Sequence, residues 1–177
     1  MAVTEIATLK LVPAHTWDSP AIQSFFTTLS VQQAAWSGYP LRFFEDTSNA
    51  RVIYLITGWK SIPAHYEWIA SDQNQKLLER AKGLIEVAGL QHADVDSEVA
   101  DAPFVVWKQW ELREGEKWTV EADAGEGRVL EREDRVACSL EGYASQEDMG
   151  AVADCGETKR MRRLVVTQGG QGQAMGL

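Results

Sequence analysis

The sequence predicts an α+β fold, and three observations carry that prediction. Short β-forming runs and helical stretches follow one another over residues 3–96 in the order β-α-β-β-α-β. The apolar run from Val52 to Ile56 passes straight into a helical pattern through Gly58 and Ser61. A weaker copy of that strand-to-helix element recurs in the second half, where Gly142-Tyr143-Ala144-Ser145 matches Gly58-Trp59-Lys60-Ser61.

Residues 3–12 alternate well enough for a first strand, and Pro13 to Ser19 is a connection. Ser19-Pro20 supplies a helix N-cap and first turn. Ile22, Phe25, Phe26, Leu29, Gln33 and Trp36 keep helical spacing, and Ser37-Gly38-Tyr39-Pro40 breaks it. Leu41 to Glu45 is a short strand, joined through the turn residues Asp46 to Asn49 to a third strand from Arg51. Ser61 caps the next helix, with Pro63 in its first turn and Ile62, His65, Tyr66 and Ile69 on one face. Ser71-Asp72 starts another helical segment, striped by Leu77, Leu78, Ala81, Leu84 and Ile85, with Gly89 as its stop. Leu90 to Val95 completes a ferredoxin-like unit over residues 1–98.

Such a sheet carries helices on one face, so its other apolar face needs a cover. The sequence offers strands at 103–112, 135–143 and 161–166, and a short helix at 145–154. A turn at 113–116 and a return strand at 118–121 are expected, with a polar loop or sheet edge at 125–134. Residues 99–168 then read as a degenerate second half-barrel, lacking most of its first helix and packing on the first unit. A Gly- and Gln-rich tail starts near Thr167, and residues 169–177 are expected to be flexible.

The 45% apolar content supports a globular core, and no run approaches the roughly 20 apolar residues of a membrane span. The first residues lack a basic stretch followed by an apolar one, so a secretory signal is not expected and a cytoplasmic location is. A net charge of −9 disfavours nucleic-acid and anionic-membrane partners. Cys138 and Cys155 form no C-x-x-C pair and are expected to stay reduced; with 3 scattered histidines, no metal site is expected. The 7 tryptophans suit both a core and a pocket for a flat apolar ligand.

His65 lies on the buried stripe of its helix, where it is either a neutral core histidine or a general base. Tyr54 and Tyr66 either donate to a substrate oxygen or pack. Arg42, in a strand otherwise made of Leu and Phe, needs an anionic partner if buried: Glu67, or a carboxylate or enolate on a ligand. Trp36, Trp59 and Trp68 belong to the core or line a cavity. Gly169, Gly170 and Gly172 have no strand-to-helix context, so they do not mark a phosphate site.

The 3–12 strand, the R-V-I-Y-L-I-T-G-W-K-S element, Ala64-His65 and Ser71 together resemble the dimeric α+β barrel superfamily, within it the antibiotic-biosynthesis monooxygenase type, and most of all its fungal members. The resemblance covers slightly over half the chain. It implies a barrel closed by a second sheet, a pocket between sheet and helices, and chemistry without a cofactor. The superfamily's plant polyketide cyclase places its tyrosine and histidine where this chain has Trp68 and Asn74, so that mechanism does not transfer, and these two residues remain as substrate contacts. The expectation is a cofactor-independent enzyme of secondary metabolism acting on an apolar aromatic or polyketide-like molecule by cyclisation, decarboxylation or monooxygenation. His65 would be the base, and Arg42, Tyr54 and Tyr66 would donate to an enolate. A non-catalytic binding or stress-response barrel and a haem-binding or haem-degrading protein are the alternatives. Family habit implies a homodimer, with a pseudo-dimeric monomer as the alternative.

Overall fold

The structure is a computed structural model that describes residues 2–114, 125–132, 135–154 and 156–166. The first unit runs β1 (Val3–Leu11), α1 (Pro20–Ser37), β2 (Arg42–Asp46), β3 (Asn49–Trp59), α2 (Ile62–Ala70), α3 (Asp72–Ala81) and β4 (Ile85–Ala93). The second runs β5 (Phe104–Glu111), β6 (Glu126–Arg128), β7 (Val136–Tyr143), α4 (Gln146–Gly150) and β8 (Glu157–Leu164). Among the described residues the strands form one 8-stranded sheet in the order β4-β1-β3-β2-β8-β5-β7-β6. Every strand pairing in it is antiparallel.

That order is one arrangement used twice. The first unit reads β4-β1-β3-β2, and the second reads β8-β5-β7-β6, its fourth, first, third and second strands. The two are joined where β2 pairs with β8, with Phe43 opposite Leu164 and Asp46 opposite Met161. The far ends also meet: Ala93 bridges Val129, and the Asp94 amide donates to the Arg128 carbonyl at 3.2 Å. The sheet therefore curls into a barrel within a single chain, its ends joined by that bridge and that hydrogen bond.

Strand alternation divides the apolar residues between two cores. Ala7, Leu9, Phe43, Leu55 and Trp59 face outward and pack under α1, α2 and α3 with Ile22, Phe26, Trp68 and Leu77. Ile6, Phe44, Tyr54 and Ile56 face inward and meet Val105, Trp107, Leu140 and Met161 from the second unit. The expected cover for the open sheet face is thus present in the same chain.

Local chemistry follows the sequence closely in the first unit. The Ser61 hydroxyl accepts from the Ala64 amide at 3.3 Å, and the Ser71 hydroxyl accepts from the Asn74 amide at 3.1 Å. The two Gly-aromatic-x-Ser elements sit at equivalent places, each closing the third strand of its unit. Ser145 caps α4 as Ser61 caps α2. Both glycines are required by close approach: a Cβ on Gly58 would lie 2.5 Å from the Tyr39 ring, and one on Gly142 would lie 2.8 Å from the Val99 carbonyl oxygen.

Several boundaries differ from the sequence reading, among them the short helix expected at 145–154, which ends at Gly150. The helix α3 stops at Ala81, because Gly83 turns the chain with φ +77°, and Leu84 and Ile85 pass into the next connection and strand. Gly89 lies inside β4 beside a register shift at Thr8/Leu9, so it marks an irregularity in pairing and not a helix end. The strand β8 begins at Glu157, earlier than the apolar run from Met161, because its backbone already pairs with β5 from Thr158 on. The return strand expected at 118–121 and the tail at 169–177 lie outside the described residues.

Candidate functional site

An apolar cavity of about 220 Å³ lies between the outer face of the first sheet and its helices. Leu9, Phe25, Leu29, Leu55, Trp68 and Leu77 supply much of its wall. Its polar lining comes from Glu5, Gln33, His65 and Asn74. Leu78, Val87 and Leu90 also line it while remaining 41%, 61% and 41% exposed, which places an apolar mouth at the edge of β4.

Glu5 is on the outward face of β1, in register with Thr57 on β3 and His92 on β4. A charged residue in that otherwise apolar row is expensive unless hydrogen-bonded. Its Oε2 accepts from the Trp59 indole at 2.6 Å and from the Gln33 amide at 3.1 Å. Burial still outweighs these two donors and pushes the Glu5 pKa up to about 7.

His65 arrives from α2 and stacks on the Trp59 ring at 4.4 Å between centroids. Its Nε2 is 3.5 Å from Glu5 Oε2. Its Nδ1 is 2.7 Å from Nε2 of His92. Burial, and next the proximity of His92, push the His65 pKa down to about 3, so the ring is neutral at ordinary pH. His92 is wholly buried, and its Nδ1 is 2.5 Å from Glu131 Oε1. The Glu131 carboxylate also accepts from the His92 backbone amide, both oxygens at 3.0 Å. Glu131 comes from the turn between β6 and β7, so the second unit contributes to a cluster seated in the first.

With Glu131 taken as an acceptor, one donor–acceptor order runs along this row. Glu131 accepts, so His92 donates from Nδ1 and presents a lone pair at Nε2. That lone pair takes the His65 Nδ1–H, which leaves the His65 Nε2 lone pair facing Glu5.

The residues singled out from sequence divide between the two faces of the sheet. His65, Trp68 and Asn74 line the cavity, and Trp59 holds Glu5 from below. Asn74 also donates to the Ile69 carbonyl at 3.2 Å. Arg42 and Tyr54 point into the barrel, because both alternate with residues that face the helices. Arg42 is buried beside the Ser97 carbonyl at 3.4 Å, with the Asp101 carboxylate 3.5 Å from its Nε, so its anionic partner is neither Glu67 nor the cavity. The Tyr54 hydroxyl donates to Asp46 at 2.8 Å, and burial raises its pKa further from neutrality. Tyr66 is 53% exposed with its ring parallel to that of His65 at 6.3 Å. Trp36 is 46% exposed and leans on Trp68 at 5.5 Å.

Sequence reasoning missed Glu5, Gln33, His92 and Glu131 as site residues. Glu5 did carry a signal: it interrupts the apolar row Val3, Ala7, Leu9 and Leu11 of its strand. The others become neighbours only through the barrel. Among the described residues no cluster suited to a metal ion is present, and no helix is long and apolar enough to cross a membrane.

No protein-family model matches the chain, and no curated protein is significantly similar to it in sequence. Solved structures do match its fold over nearly the full length. A protein provisionally assigned as a chlorite dismutase superposes with a TM-score of 0.60 at 8% identity, over 93% of this chain and 95% of its own. A provisional monooxygenase from Fusobacterium nucleatum gives 0.60 at 9% identity, over 93% of each chain. Another from Lactobacillus acidophilus gives 0.55 at 9% identity, over 92% of this chain and 93% of its own. The chain thus has the duplicated α+β barrel fold of monooxygenase-like and chlorite dismutase-like proteins. Nothing in these likenesses supports the expected similarity to fungal members in particular.

Proposed function

We propose that this protein is an enzyme that removes a proton from an apolar, aromatic or polyketide-like molecule, using the Glu5–His65 pair as its base. The observation that carries this reading is the buried carboxyl–imidazole pair at the polar end of an otherwise apolar cavity. A carboxyl held near neutrality is matched to proton transfer at ordinary pH, and perturbed groups in a cleft mark functional sites. An apolar wall excludes water and strengthens the interaction of the pair with the charge that forms. The resulting enolate or phenolate is the common intermediate of cyclisation, decarboxylation and direct reaction with dioxygen, and the names of the full-length structural neighbours lend weight to the last.

The geometry supports haem binding less well. An axial ligand needs a lone pair aimed into open space, whereas both His65 nitrogens face protein groups. Mixing with haemin and finding a Soret band lost in His65→Gln would favour haem.

The test uses 2-naphthol as a phenolic probe, read through quenching of Trp68 and its neighbours. Wild-type protein is expected to bind it saturably, and Leu55→Trp, which fills the cavity, to lose it. With a turned-over substrate, Glu5→Gln is expected to lower kcat by about 10²-fold or more, the usual worth of a general base. Activity of the wild type should rise with pH through about 7, as Glu5 ionises. Undiminished turnover in folded Glu5→Gln would defeat the assignment.

A further inference from the structure

We propose that His65, His92 and Glu131 form a proton relay that carries the substrate's proton from the cavity to the mouth of the barrel, with Glu131 of the second unit as its solvent terminus. The proposal rests on the reading of Glu5–His65 as a base and adds the route by which that base is reset.

The geometry is continuous. His65 lines the cavity beneath the helices. Glu131 lines a separate cleft at the barrel mouth, together with Lys10, Gln109, Arg132, Glu157 and Lys159. Between them stands His92, wholly buried, bonded to His65 on one nitrogen and to Glu131 on the other. A second buried histidine at this point serves no packing need that an apolar residue would not meet better, and its desolvation is costly. Its two ring nitrogens are used as one acceptor and one donor, which is the arrangement a relay requires.

The steps balance. The substrate's proton passes to the Glu5 carboxylate and then to His65 Nε2, 3.5 Å away. His65 gives its Nδ1 proton to His92 Nε2, and His92 gives its Nδ1 proton to Glu131, which releases it to water in the cleft. Glu5 is again a carboxylate, the substrate is an anion, and each ring has moved from its Nδ1–H to its Nε2–H form. Reversal of the same shifts protonates a product anion and restores the starting tautomers. The groups that face this row are Glu5, Trp59 and the Tyr66 ring, 6.2 Å from that of His92, on the cavity side. On the mouth side they are Lys10, Arg132, Glu157 and Lys159, and the Asp94–Arg128 pair lies next along the strand.

Histidine-labelled protein examined by long-range proton–nitrogen NMR tests the direction of the row. Both His65 and His92 are expected as Nδ1–H tautomers. An Nε2–H form of either in the resting protein would overturn the relay. Glu131→Gln keeps an oxygen for the His92 amide and ring but no longer takes up a proton. It is expected to leave fold and tautomers unchanged and to slow exchange of the His65 Nδ1 proton with water by about 10²-fold. Glu131→Asp should restore part of that rate. Unchanged exchange in Glu131→Gln would show that protons leave through the cavity mouth, and the relay would fall. If Glu131→Gln does not fold, the same loss is to be read in His92→Gln, whose amide passes no proton on, and an unchanged His65 Nδ1 exchange rate there would equally overturn it. Failure of 2-naphthol to bind, with relay exchange intact, would instead strike the cavity reading alone.

Discussion

Glu5 and His65 make opposite contributions to stability, and their sum has a recognisable pH profile. Glu5 titrates near 7 in the folded protein against 4.5 in the free group, so the native state holds its proton longer. Its contribution is full below 4.5 and is lost as pH rises to about 7. His65 titrates near 3 against 6.5, so the unfolded chain takes up the proton first. Its contribution is full above 6.5 and is lost as pH falls toward 3. Between 4.5 and 6.5 each state holds one of the two protons, and the slopes cancel. Urea midpoints should therefore be level over that window in the wild type. In Glu5→Gln they should climb with pH up to 6.5, and in His65→Gln they should decline from 4.5 to 7. A level profile in both variants would mean that burial moves neither group from its free pKa. His65 was legible as a site residue because one helix displays it. His92 and Glu131 were not: they lie 27 and 66 positions from His65, on a strand and a turn that meet it only after the barrel closes.

The element that aims His65 is the strand-to-helix junction at Gly58 to Ser61. Ser61 takes the Ala64 amide and fixes where α2 begins, and His65 follows one turn later with its amide on the Ser61 carbonyl at 3.2 Å. Ser61→Ala is expected to cost about 1 kcal/mol, as N-cap losses do, measured by chemical denaturation. It should also weaken 2-naphthol binding, because the start of α2 sets the position of the imidazole at the cavity wall. Stability lost without any change in affinity would show that the Trp59 stack and the His92 bond hold the ring without the cap. Such junctions were readable because capping and turn chemistry are local: Ser19, Ser61, Ser71 and Ser145 all open helices where the sequence places them. The extent of β4 was not readable. Its pattern from Ile85 to Ala93 is broken by Gly89 and exposed at Glu86 and Val87, so periodicity followed the helix stripe too far.

At the scale of the molecule, the second unit completes the first in two ways. It fills the barrel, since Val105, Trp107, Cys138, Leu140 and Met161 pack against Ile6, Phe44, Tyr54 and Ile56. It also delivers Glu131 to His92. A homodimer formed through the open face of the first sheet, the arrangement that family habit suggests, would need the surface these residues already occupy. The intact chain is therefore expected to scatter light as a single chain at micromolar concentration. A fragment of residues 1–98 would expose Ile6, Phe44, Tyr54 and Ile56 together, a contiguous apolar face of the kind that drives association. It is expected to aggregate or to pair with a second copy. It would also lack Glu131, the group from the second unit that covers His92 Nδ1. A soluble, monomeric fragment with intact secondary structure would show that the first sheet does not depend on its cover.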